Sequence, residues 1–210
     1  MAPVGNIAFS VIRRRWVNTR GEENNVAVHT EEYTSLSICS GIGGLDTGTG
    51  EAIRIVPLCY VEIGAENAEI LVSLMEQGEI GEAPIFSDLT RFPTEIFRDR
   101  VDILQGGFPC QPFSQAGLQK GVADERNLWP SVARIIRGVR PTVVFLENVP
   151  GIKPYYFSTI RPELCALGYV VNEGLFSAEV DGGAPQTRQR LFILAYSEGT
   201  RLQRRGIQRY

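Results

Sequence analysis

From Tyr33 onward the chain repeats one pattern: a short apolar run, a turn rich in glycine or polar residues, and a stretch with helical spacing. The apolar runs are "SLSIC" (35–39), "PLCYVEI" (57–63), "APIF" (83–86), "VDILQ" (101–105), "PTVVFLENV" (141–149), "YVVNEGLFSA" (169–178) and "RLFILAYS" (190–197). Between them, "LDTGTGEAI" (45–53), "AENAEILVSLMEQG" (65–78), "ERNLWPSVARIIRGV" (125–139) and "IRPELCALGY" (160–169) have helical spacing. Gly78 is placed to cap the second of these, and Pro130 falls near the first turn of the third. Strands alternating with helices predict an α/β fold with a mostly parallel sheet. In such sheets ligands bind beyond the carboxyl ends of the strands.

That rule makes the residues after each run the candidate site. "SGIGG" (40–44) follows the first run, and its glycines let backbone N–H groups approach a ligand closely. It is equally readable as a plain tight turn. Glu62 ends the second run, where a carboxylate suits two ribose hydroxyls; a solvated strand-end acid is the alternative. Asp88 follows the third run and suits an adenine amino group. Together the three outline a nucleoside pocket.

"GGFPCQPFS" (106–114) follows the fourth run. Two prolines bracket Cys110 and stiffen its loop, which holds a thiol in one place. A packed structural cysteine would sit inside an apolar run instead. "ENV" (147–149) places Glu147 at the end of a strand, where it needs a partner or a task. "QTRQR" (186–190) places Arg188 and Arg190 two apart, so a strand would point them to one side.

Composition narrows the class. The chain has 210 residues, 43% hydrophobic and 21% charged, ordinary for a globular domain. No apolar run approaches the ~18 residues of a membrane span. Cys39, Cys59, Cys110 and Cys165 are scattered and His29 is the only histidine, so no metal site is expected. Few scattered cysteines point to a reducing cytoplasm. Net charge is −3, but residues 186–210 carry six arginines and one acid, which leaves −8 on the rest. Such an arginine-rich end can grip phosphates or remain a solvated tail. Three regions are expected: an extension (1–33) with a short amphipathic helix in "NIAFSVIRRRW" and a loose polar stretch, a main domain (34–196), and a basic tail (197–210).

In this order the motifs resemble those of the DNA cytosine methyltransferases that modify carbon 5. "GGFPCQPFS" is similar to the family's Pro-Cys-Gln nucleophile loop, "ENV" to its glutamate motif and "QTRQR" to its Gln-x-Arg-x-Arg motif. The resemblance covers residues 35 to about 196. It implies a Rossmann-like methyltransferase fold with a seven-stranded type of sheet flanked by helices. It also implies S-adenosyl-L-methionine as cofactor, held by Ser40, Gly41, Ile42, Gly43, Gly44, Glu62, Ile63, Asp88, Leu89, Pro109 and Leu128. The last of these lies in "RNLW" (126–129), which looks like the helix start that touches the methionine part. The implied substrate is double-stranded DNA with its cytosine flipped out.

The implied chemistry gives each residue type a task. The Cys110 thiolate attacks carbon 6, which makes carbon 5 nucleophilic. Glu147 hydrogen-bonds or protonates ring N3, Arg188 holds O2, and Arg190 holds local structure or a phosphate.

Family members continue past the Gln-x-Arg-x-Arg strand into a target-recognition region and a final Gly-Asn motif. Here only "SEGTRLQRRGIQRY" follows. Three arrangements are open: a truncated product, one part of a split enzyme with a second chain carrying recognition, or a permuted order. In the last, "VGN" (4–6) would imitate the final motif. Rival functions are an RNA cytosine methyltransferase and a binding fragment without activity.

Overall fold

The computed structural model describes residues 32–109 and 127–197. The helix expected in residues 6–16, Cys110, Arg126 and the basic tail lie outside them.

Seven strands form one sheet: β1 (Tyr33–Ile38), β2 (Ile55–Val61), β3 (Ile85–Phe86), β4 (Ile103–Gly106), β5 (Val143–Asn148), β6 (Tyr169–Ser177) and β7 (Gln189–Ser197). Their order is β3-β2-β1-β4-β5-β7-β6. The first five are parallel, and β7 runs antiparallel to both its neighbours. This is the expected α/β fold. Its third strand is shorter than expected, only two residues, because Asp88 turns the chain into a 3-10 turn, Leu89–Arg91.

The helices are α1 (Gly44–Ala52), α2 (Ala65–Glu76), α3 (Trp129–Val139), α4 (Lys153–Tyr155) and α5 (Arg161–Ala166). A π-turn, Tyr156–Ile160, joins the last two, so this helical segment starts seven residues before the apolar spacing suggests. Gly78 closes α2 at φ 73, and its N–H and that of Glu79 cap Met75 and Leu74.

Helix α3 carries the strongest amphipathic pattern and buries Val132, Ile135, Ile136 and Val139 against Leu36, Leu104, Val144 and Leu146 of the sheet. Burying side chains of this size contributes roughly 1.5–3 kcal/mol each. On the other face, α1 sits over β1 and β4. Its Asp46 accepts hydrogen bonds from Ser37 Oγ (2.9 Å) and Gln105 Nε2 (2.6 Å).

Two glycines set how closely these pieces approach. Gly43 starts α1 at φ 76, and a Cβ there would meet Leu71 and Leu74 of α2 at 3.1 and 3.2 Å. Gly106 pairs with Ile38, and a Cβ there would lie 2.2 Å from the Ile38 carbonyl oxygen. That atom is backbone in the centre of the sheet and cannot swing aside. Gly106→Ala is therefore expected to cost about 3 kcal/mol or more in urea unfolding. An unchanged midpoint would show that β1 and β4 part without cost.

Candidate active site

The carboxyl ends of β1, β2, β4 and β5 lie side by side, as the register requires, and most of the expected residues gather there. The turn after β1 begins with Cys39 at φ 49 and continues through Gly41 at φ 55. Glu62 leaves the end of β2 and ties this turn down. Its Oε2 accepts the Gly41 N–H at 2.7 Å, and its Oε1 accepts the Gly64 N–H at 2.8 Å and Asn67 Nδ2 at 3.2 Å. The carboxylate therefore spans the starts of two loops, and Oε2, with a single bond, keeps acceptor capacity. Ser40 is buried and bonds the Ser37 carbonyl. Ile42 and Ile63 remain 58% and 83% exposed beside it, an apolar surface at two strand ends.

Asp88 caps the 3-10 turn by accepting from the Thr90 N–H and hydroxyl at 2.9 and 2.6 Å. The Thr90 hydroxyl bond holds its carboxyl below the ordinary range. This loop is also clamped from α3. Arg134 donates to the carbonyls of Phe92 (3.0 Å), Leu89 (3.0 Å) and Thr90 (3.1 Å). Leu89 is buried beneath it. At the start of α3, Asn127 donates to the Tyr155 hydroxyl at 3.0 Å and accepts the Trp129 N–H at 3.2 Å, while Leu128 packs against the core.

Beyond β4, Gly107, Phe108 and Pro109 lead toward Cys110. Phe108 is buried and its ring tilts against Trp129. Asn148 Nδ2, buried at the end of β5, donates to the Phe108 carbonyl at 2.9 Å. A Cβ on Gly107 would lie 3.0 Å from Glu147 Oε2, so the loop passes close over this carboxylate. Glu147 is 24% exposed and pairs with Arg190, whose Nε lies 2.5 Å from Oε1. Arg188 precedes β7 and is exposed. Its backbone carbonyl accepts from Ala178. The two arginines thus differ: Arg190 is engaged with Glu147, and Arg188 faces solvent.

Sequence reasoning passed over Asn148 and Arg134. Asn148 was legible as the amide beside Glu147. Arg134 gave no signal, because its partners are carbonyls more than forty residues away.

Cys39 and Cys59 are poor nucleophiles. Burial, with Glu62 nearby, pushes Cys39 up to about 12, and burial pushes Cys59 to about 11. Cys165 is exposed on α5.

Burial also pushes Asp46 up to about 6, against the pull of Ser37 and Gln105. Between about 4 and about 6 the folded protein keeps a proton that the unfolded chain has released. Stability therefore falls as pH rises through that window and stays lower above it. The full difference is about 3 kcal/mol at most. In Asp46→Asn the fall in unfolding free energy between pH ~4 and pH ~8 should shrink by about 1–3 kcal/mol, measured by urea titration at both. An unchanged fall would place the dependence on another group.

A seven-stranded sheet in this order, with an antiparallel strand beside its last parallel member and loops converging at the carboxyl ends, defines the class of S-adenosylmethionine-dependent methyltransferases. Within it, the chain belongs to the C-5 cytosine-specific DNA methylase family, whose model matches residues 33–209.

It is 40% identical over 173 residues to the Type II methyltransferase M.SsoII of Shigella sonnei, covering 79% of this chain and 43% of that one. It is 33% identical over 168 residues to M.NgoMIV of Neisseria gonorrhoeae, covering 78% and 52%. Among solved structures, a putative DNA modification methyltransferase encoded within an Escherichia coli prophage superposes with a TM-score of 0.64 at 26% identity, covering 79% and 47%. The S. pombe Dnmt2 methyltransferase shares the fold, at TM-score 0.64 and 23% identity, covering 80% and 52%. The chain spans about half the length of the curated relatives it matches.

Proposed function

We propose that this chain is the cofactor-binding and catalytic part of an enzyme that transfers a methyl group from S-adenosylmethionine to carbon 5 of cytosine in double-stranded DNA. The observation that carries the reading is the convergence at the ends of β4 and β5. Asn148 holds the Phe108 carbonyl two residues before Cys110, and the Arg190-paired Glu147 lies against Gly107.

The residues present fit the cofactor. Glu62 Oε2 has acceptor capacity for a ribose hydroxyl, Asp88 for an adenine amino group, and Ile42 and Ile63 offer apolar surface for a purine. A Cβ built on Gly41 or Gly44 meets nothing within 4 Å, so the backbone there is open to a ligand. Pro109, exposed at the end of its loop, joins this surface, and Ser40, Gly43, Leu89 and Leu128 support it from beneath. When bound, the cofactor supplies an electrophilic methyl group.

The protein's own residues do the rest. Cys110 attacks carbon 6 of a flipped cytosine, and the ring electrons move toward carbon 5. Glu147, fixed by Arg190, offers its hydrogen bond or proton to N3 and stabilises the charge that develops there. Arg188, exposed at the head of β7, holds O2. After methyl transfer a base takes the carbon-5 proton, and Cys110 leaves with the bond electrons.

Phosphate contacts position such a protein and base contacts specify its target. The described residues form the one sheet, its flanking helices and their connecting loops. In this reading, base-specific contacts come from a recognition segment outside the described residues. No described helix is long and apolar enough to cross a membrane, and the reading places the protein in the cytoplasm, where its free thiols stay reduced.

The test is nucleoside mass spectrometry of DNA and, separately, RNA incubated with the protein, S-adenosylmethionine and a recognition segment from a relative. 5-Methylcytosine is the expected product. N4-methylcytosine, N6-methyladenine, or 5-methylcytosine confined to RNA would overturn the proposal.

A further inference from the structure

The sheet is covered unequally. On one face, Val144, Leu146, Val171, Ile193 and Ala195 are buried in the core that α3 joins. On the opposite face, the register lines up Val143, Tyr196 and Val170 in one row, Phe145, Leu194 and Asn172 in the next, and Glu147, Phe192 and Gly174 in a third. The face is the one that carries α1, since Gln105 pairs with Phe145 and bonds Asp46. Here Val143, Phe145, Val170, Phe192, Leu194 and Tyr196 are only half-buried. Phe145 stacks on Phe192 at 5.6 Å, and Phe176 meets Phe192 edge-on. Contiguous apolar surface of this kind marks a docking site.

We infer that residues 6–16 of this same chain, "NIAFSVIRRRW", dock as a helix on the exposed face of β5, β7 and β6. In a helix, Ile7, Ala8, Phe9, Val11, Ile12 and Trp16 fall on one broad side, with Asn6, Ser10, Arg13 and Arg14 opposite; Arg15 falls on the apolar side in the last turn, where its long stem can carry the charge out to solvent. Eleven helical residues make about 16 Å. The three rows span five strand residues, about 13 Å.

The tether also fits. The chain enters the sheet at Tyr33, and the register places that entry on the edge of the sheet where Val143, Tyr196 and Val170 lie. From β1 to β7 is three strand spacings, about 14 Å. The polar stretch between Trp16 and Glu32 has 15 residues, for which the root-mean-square span is about 20 Å. A partner held by so short a tether docks at high effective concentration.

The test is photo-cross-linking of the full-length protein with p-benzoylphenylalanine at Leu194, and separately at Asn172, the polar member of the same row. Replacing Asn172 removes no apolar contact, so one variant remains readable if the other does not fold. A mixture of isotopically light and heavy protein is irradiated, digested and analysed by mass spectrometry. The expected product joins the probe to a peptide within residues 1–16 of the same isotope. Cross-links between light and heavy chains would show a second copy on this face and overturn the proposal. So would a folded variant with no cross-link to residues 1–16. The readout needs neither cofactor nor DNA, so it stands or falls apart from the proposed activity.

Discussion

A Cys110→Ser protein is expected to form no covalent complex with a duplex carrying 5-fluorocytosine, under conditions where the unaltered protein is trapped. The fluorine replaces the proton that must leave carbon 5, so the enzyme stalls with its sulfur still bonded to carbon 6. A serine hydroxyl does not ionise in the range where a thiol does and makes a far weaker nucleophile. No described thiol can take over. Cys39 and Cys59, pushed up to about 12 and about 11, stay protonated near neutral pH. Cys165 lies on α5, four residues before Tyr169, whose pairing with Ser197 is at the sheet edge away from Glu147. Serine at any of these three positions should leave trapping intact. The measurement is a shifted band on a denaturing gel with S-adenosylmethionine present, the recognition segment being added in trans. An adduct formed by Cys110→Ser would sink the nucleophile assignment.

Glu147→Gln should be nearly as severe for turnover while leaving the fold in place. Glutamine keeps the shape and one acceptor for Arg190, but it carries no proton to give to N3 and no charge to balance the guanidinium. The loss of a positioned acid–base group lowers turnover by about 10²–10⁴-fold. Cofactor affinity should hold, since Glu62 and the turn it ties down lie on β1 and β2. Titration calorimetry and single-turnover methylation separate the two effects. A variant that binds cofactor normally and methylates at an undiminished rate would remove Glu147 from the chemistry.

The sheet was legible because its strands are short apolar runs broken by glycine and polar turns, and the special residues fall where a parallel sheet puts its ligands. Glu62 shows how far that goes. Its place at a strand end is readable, yet its bonds to Gly41 and Gly64 are not, because they depend on two loops meeting in space. Arg134 is harder still. On α3 it looks like one more exposed arginine of an amphipathic helix, and only packing brings it to the carbonyls of the Asp88 loop. The early start of the helical segment after β5 was hidden by Pro150 and Pro154, which read as breakers but sit in first-turn positions where proline is tolerated. Cys110 is the opposite case: its flanking prolines mark a thiol held in one place, and it lies outside the described residues.

The reversed direction of β7 sets a constraint on anyone wishing to build on this scaffold. Its first residues, beside Arg190, stand at the edge that carries Glu147, and its last, Tyr196 and Ser197, pair with Val143 and Tyr169 at the opposite edge. Material joined after Ser197 therefore departs on the far side of the molecule. To reach a duplex lying over Glu147 it must travel back the length of a nine-residue strand, about 30 Å. A fused recognition module would need a leader of at least about nine extended residues before its first useful contact. Grafting into the 178–188 connection, which rises beside Arg188, would start such a module at the Glu147 edge with no detour.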